Sequence, residues 1–141
     1  MPLAMDEIKA RLEGLEGMAQ LKREDFADEG GYAHALAQQF RGTLKATQLH
    51  RFFRQIKQVQ REAGRAGADE PFQRERILTL LPILVYSVGR DLVPKDFYEI
   101  VKICLSKDKL KTNGDFIRVA EFLEAIVAYH KYVSETQKER G

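Results

Sequence analysis

The sequence predicts an all-α protein, a compact bundle of about five helices with a kinked apolar helix at its centre. Three observations lead there. Apolar residues recur at three- and four-residue steps in every segment, and none alternates with a two-residue period between turn signals as a strand would. One run, Ile77 to Val88, is apolar nearly all round and carries Pro82 inside it, the pattern of a buried helix bent where a backbone donor is missing. The chain has 141 residues and one cysteine, Cys104. That length suits one domain able to bury about 68% of its unfolded surface without a metal or a disulfide.

Taken in order, the first 31 residues carry eight acids and four bases around Gly14, Gly17 and the Gly30-Gly31 pair. They predict a loosely held segment, 1–31, with a short helix over Asp6 to Glu16, ahead of a single helical domain, 32–141. The next helix runs from Tyr32 to about Arg41, with Tyr32, Leu36, Phe40 and then Leu44 on its buried side. Thr47 is placed to cap the following helix, which Gly64, Gly67 and the Ala68-Asp69-Glu70-Pro71 link bring to an end. The apolar helix spans about Phe72 to Gly89, and Pro82 should kink it. Pro94 opens a helix to about Leu105, burying Phe97, Ile100, Val101 and Cys104. The loop Ser106 to Gly114 leads to a long last helix, Asp115 to about Thr136, with Phe116, Val119, Leu123, Ile126 and Val127 inward.

Charge is the most informative functional signal. Between Arg41 and Gly67 stand seven basic residues, Arg41, Lys45, Arg51, Arg54, Lys57, Arg61 and Arg65, against the one acid Glu62. The local charge is +6 in a chain of +2, so the remainder sums to −4. At about 100° per residue, Leu49, Phe52, Phe53, Ile56 and Val59 share one arc of this helix. Arg54, Lys57, Arg61 and Arg65 fall opposite, with His50 among them and Arg51 at the edge. A solvated helix face normally mixes signs at i,i+4 to relieve repulsion; this ridge does not, and its pitch of about 5 Å per turn suits a line of phosphates. Lys107, Lys109 and Lys111 form a second, smaller basic cluster.

Other functions find less support. The three histidines, His34, His50 and His130, lie on different helices without a His or Cys at metal-ligand spacing, and no catalytic set or phosphate-cradling glycine loop is present. His130 and Cys104 read as core residues. The chain is therefore expected to be non-catalytic and without cofactor or metal. Met5, Ile8, Leu12 and Leu15 are separated by charges and small residues, unlike a signal peptide. The longest apolar run is twelve residues, where a membrane helix needs about 20. No membrane association and a cytoplasmic location are the expectation. Tyr98, Tyr129 and Tyr132 fall on polar arcs as candidates for base stacking or a subunit interface, beside the mildly apolar strip of Ile117, Ala125 and Ala128.

Three segments together resemble one family, the small subunit of type III-A CRISPR effector (Csm) complexes. They are Lys45-Ala46-Thr47-Gln48-Leu49-His50-Arg51-Phe52, then Leu80 to Arg90 with its internal proline and Tyr…Arg ending, and Phe116 to Lys131. The resemblance covers about Gln39 to Tyr132. It implies a structural, antiviral-defence subunit of a ribonucleoprotein, self-associating head to tail, with the other Csm subunits as partners. It also implies contact with the phosphates of crRNA and single-stranded target RNA. Carried over residue by residue, it implicates Arg51, Arg54, Lys57, Arg61 and Arg90. The chain departs from the family at His50, where Arg is frequent, and at Leu81, where Lys is frequent. Competing readings are the type III-B small subunit, a helical DNA-binding regulator suggested by Thr47-Gln48-Leu49 opening a basic helix, and a dock for an acidic protein surface.

Overall fold

A computed structural model describes residues 4–140, and the side chains of residues 4–135; residues 1–3 of the predicted N-terminal segment lie outside that range. Among the described residues there are seven α-helices and three 3₁₀ turns. The helices are α1 (Met5–Glu13), α2 (Arg23–Ala27), α3 (Tyr32–Gln39), α4 (Ala46–Ala66), α5 (Leu80–Gly89), α6 (Lys95–Cys104) and α7 (Asn113–Arg140). The all-α class is as the sequence predicts, with more and shorter helices than about five. The only extended pairing described is a single bridge between Pro71 and Thr112.

The centre of the bundle is α7. It packs against α4, α3, α2 and the Met18–Gln20 turn, because its inward residues Phe116, Val119, Ala120, Phe122, Leu123 and Ile126 are 0–2% exposed. Phe97 of α6 joins the layers, meeting Phe40 edge-on at 5.7 Å and Phe52 of α4 at 6.3 Å. Each such ring removes a large apolar area from water, and its edge-to-face geometry contributes about 0.5–1.5 kcal/mol more.

The N-terminal segment, expected to be loosely held, contributes Ile8, Leu12, Met18, Leu21 and Phe26 to this same core. Charged groups from the start of α7 and the loop before it fasten that segment. Lys109 Nζ donates to the carbonyls of Glu13 and Leu15 at 2.7 and 2.5 Å, and Lys111 Nζ to that of Glu16 at 3.0 Å. The Arg118 guanidinium donates to the carbonyls of Ala19 and Leu21. The Asp115 carboxylate accepts the amides of Ala19, Lys111 and Thr112 at 2.8, 3.0 and 3.1 Å. In return the Asp115 amide donates to Thr112 Oγ1 at 3.3 Å, the reciprocal arrangement of a capping box.

Two expectations about the apolar run are corrected. It is not one kinked helix: Arg74–Ile77 is a 3₁₀ turn, and α5 begins only at Leu80. Pro82 is then the third residue of α5, where the missing N–H would have had no partner within the helix, so it starts the helix instead of bending it. Nor does this run occupy the centre. Leu80, Leu84 and Ser87 dock inward, while Leu78, Ile83, Val85 and Tyr86 are 44–66% exposed, because α4 and α7 already fill the space between them. Pro82→Ala should therefore shift the melting midpoint by less than about 2 °C. Relief of a mid-helix kink would instead raise it by about 10 °C, given about 3 kcal/mol for an interior proline.

Candidate nucleic-acid interface

The basic ridge lies on α4, 21 residues long. Its apolar stripe, Leu49, Phe52, Ile56, Val59 and Ala63, is buried, which fixes the helix's rotation and turns the opposite face outward. Thr47 does not cap the helix. The N-cap is Lys45, without a side-chain cap bond, and its amide donates to the Leu92 carbonyl at 3.1 Å, so Thr47 is already inside the first turn. Gly67, at φ 106°, ends the helix in a conformation that side chains resist.

Arg51, Arg54, Arg61 and Arg65 are exposed, and among the described residues none has a carboxylate within ion-pair distance. From Arg51 to Arg65 they span about 21 Å at 1.5 Å per residue. Lys57 differs: its ammonium lies 3.8 Å from Glu124 of α7 and over the Phe53 ring. It sits on the flank where α4 meets α7, half-committed to the fold. The acid Glu62 points to the other flank and is paired with Arg76 at 2.9 Å, leaving the ridge uniformly positive. Such an array attracts polyanions and positions a backbone without reading bases.

The remaining candidates divide. Arg90 follows α5, exposed, with its guanidinium over the Tyr86 ring. The adjacent Leu92–Lys45 bond and the Ser87–Gln48 bond place this turn beside the start of α4, so Arg90 can extend the ridge at that end. Lys107 is exposed, while Lys109 and Lys111 hold the N-terminal carbonyls described above; the same loop is tied to the end of α4 by the Asn113 side chain, which donates to the Gly67 carbonyl at 2.9 Å. Tyr129 is stacked on His34 at 4.7 Å and donates its hydroxyl to the Ala27 carbonyl. Burial, then the nearby Glu29 and Asp28, push its hydroxyl pKa up. Tyr132, 53% exposed, meets the same His34 ring edge-on. Sequence reasoning missed Arg76, because a 3₁₀ turn gives no periodic signal to place it beside α4.

His130 is the hydrogen-bonded core histidine that the sequence predicts. It is 5% exposed, and its Nε2–H donates to the Leu44 carbonyl at 2.9 Å. Burial lowers its pKa first, the Leu44 bond opposes this, and His50 lowers it further. A histidine whose pKa falls on folding stabilises the protein fully above the unfolded value of about 6.5. That contribution is lost as pH falls from there through the lower folded value. Acidification from pH 7.5 to 5.5 should lower the melting midpoint of the wild type, and His130→Gln should reduce that drop; equal drops in both would contradict it. Burial pushes the Cys104 thiol up to about 12, which suits a core hydrophobe and not a nucleophile.

Among the described residues no group of three or more His, Cys, Asp or Glu side chains could hold a metal, and no helix is long and apolar enough to cross a membrane. In comparison with known proteins, a family model described as Csm2 Type III-A matches residues 23–136. No curated protein and no solved structure matches.

Proposed function

The chain belongs to the Csm2 Type III-A family, the small subunits of type III-A CRISPR Csm complexes, and from that premise we propose that it is a non-catalytic, RNA-backbone-binding structural subunit. The single observation that carries this reading is the unpaired arginine face of α4. Arg51, Arg54, Arg61 and Arg65, with Lys57 and Arg90 at the margins, would lie along the phosphates of crRNA or single-stranded target RNA. Contacts of that kind hold an RNA strand in place and are indifferent to its sequence, as a defence complex carrying varied guides requires. Arrangement of several copies head to tail along the RNA is part of this reading. The exposed apolar residues of α5 support a protein contact of the type such an arrangement needs.

A helical DNA-binding regulator is disfavoured by the distribution of charge. The arginines run the whole length of α4, whereas a recognition helix concentrates base-reading groups near its N-terminus. Co-purification with tagged Csm subunits tests membership in the complex. The RNA contact is tested in the same preparation, where alanine at Arg54, Arg61 and Arg65 should leave assembly intact and reduce the RNA recovered. Undiminished RNA recovery would contradict the ridge as the contact surface.

A further inference from the structure

Beside the ridge, between α4 and the stretch from Arg74 to Leu80, is a half-open slot of about 260 Å³. Its polar groups are Gln55, Gln58, Glu62 and Arg76, and its apolar walls are Val59 and Leu80. Gln55, one of its lining residues, carries a buried Oε1 without a hydrogen-bond donor, the one such side-chain atom among the described residues. Buried acceptors are nearly always satisfied, and one without a donor in the folded chain takes its partner from water, an ion or a ligand. Across the slot, the Arg76 guanidinium is held by Glu62 at 2.9 Å, which presents a planar cation at a fixed position.

We infer that this slot takes an unpaired nucleobase bearing an exocyclic amine, from an RNA strand whose phosphates lie on the adjacent ridge. The inference rests on the reading of α4 as the RNA-facing element. Three properties of the slot select that class. An unsatisfied carbonyl oxygen asks for an N–H donor, which a phosphate lacks, and Glu62 would repel a phosphate. The one base N–H of uracil is flanked by two carbonyl oxygens that the Gln55 oxygen and the Glu62 carboxylate would also repel, whereas an exocyclic amine presents donors alone. Val59 and Leu80 favour a flat ligand with apolar faces over a filling of waters, each of which occupies about 30 Å³. The Arg76 plane offers a surface on which a base can stack.

The placement also fits a nucleotide. Gln55, Gln58, Val59 and Glu62 form one row of α4 at i, i+3, i+4 and i+7. Arg54 and Arg61 stand four before and three after Gln58, so they are its neighbours on the helix surface, about 5–6 Å away. A strand whose phosphates meet those arginines would have its bases beside the slot's mouth. Base contact here would add affinity and a mild preference for amine-bearing bases, without reading a sequence.

The test uses two probes on the full chain. Adenosine, which has no phosphate, is titrated while the side-chain amide resonances of Gln55 and Gln58 are followed by NMR. Saturable shifts with a midpoint of about 1–10 mM, the range of a single small contact, are expected, with weaker shifts for uridine. Gln55→Leu should remove the adenosine preference, and Arg54→Ala should not. In the second arm an oligo(A) is compared with an abasic oligonucleotide of equal phosphate number. The abasic strand should bind about tenfold more weakly, the scale of one or two stacked bases, with the same salt dependence.

Absence of adenosine shifts at Gln55 and Gln58, or equal binding of the two strands, overturns the slot. So does movement of those resonances only when another Csm subunit is added, which would assign it to a protein contact. Adenosine shifts that persist while oligo(A) binding shows no salt dependence would instead count against the ridge and leave the slot standing.

Discussion

Asp115→Ala is expected to lower the stability of this protein by about 3–4 kcal/mol and its melting midpoint by about 10 °C. The carboxylate is 5% exposed and accepts three backbone amides, from Ala19, Lys111 and Thr112. Alanine removes the acceptor of all three part-buried bonds, and a buried donor left unsatisfied costs about 1–3 kcal/mol. It also removes one half of the capping box that starts α7, the helix on which the bundle is assembled. Because the Ala19 bond spans the chain from the Met18–Gln20 turn to α7, the N-terminal segment should loosen first. Amide exchange over residues 15–21 should rise more than that over α4. Asp115→Asn, which keeps the shape and part of the acceptor capacity, should fall between. A midpoint within 2 °C of wild type for the alanine variant would contradict this assignment.

Reversing charge on the ridge should have the largest functional effect. Arg54→Glu with Arg61→Glu replaces two exposed cations by anions on the same face and is expected to weaken single-stranded RNA binding by at least about 100-fold at low salt. Loss of one exposed ionic contact is worth roughly fivefold or less, and each reversal adds repulsion to that loss. Both side chains point away from the core, so the melting midpoint should remain within about 3 °C of wild type. Reversal at Lys57 is a poorer probe of RNA contact, because Lys57 also faces Glu124 and covers the Phe53 ring. A reversed variant that folds and binds RNA unchanged would remove the ridge from consideration.

Much of this could be read from the residues in order. Helical period alone located α3, α4, α6 and α7 to within a few residues. It also placed His130 and Cys104 inside, because each falls on an apolar arc whose other members are long aliphatic or aromatic side chains. Opposed arcs on α4 were visible for the same reason, and the structure adds that, among the described residues, none of its arginines has a carboxylate within ion-pair distance. The family reading was legible from the order of three motifs, and the match over residues 23–136 agrees with it.

The parts that were not legible have physical causes. Pro82 has the same chemistry in the first turn of a helix as in its middle, and only the point where the 3₁₀ turn gives way to α5 separates the two. The outward placement of Ile83, Val85 and Tyr86 depends on α7 having taken the central position, which no local pattern in the run itself reveals. Three lysines close together read as a second basic cluster between Ser106 and Gly114. Two of them are instead spent on carbonyls more than 90 residues earlier in the chain. The Thr112-Asn113-Gly114-Asp115 capping box is a weaker sequence signal than the usual form, because Asp stands at its fourth position where Glu or Gln is typical.

The proposed RNA contact is one made by α4 to the phosphates of the strand. The most direct test is the slope of log affinity against log salt for a single-stranded RNA of arbitrary sequence. With about four phosphates engaged, the wild type should give a slope near −3, the same for unrelated sequences, and alanine at Arg54, Arg61 and Arg65 should flatten it to about −1. A slope near zero in the wild type, or an unchanged slope in the variant, would contradict the claim.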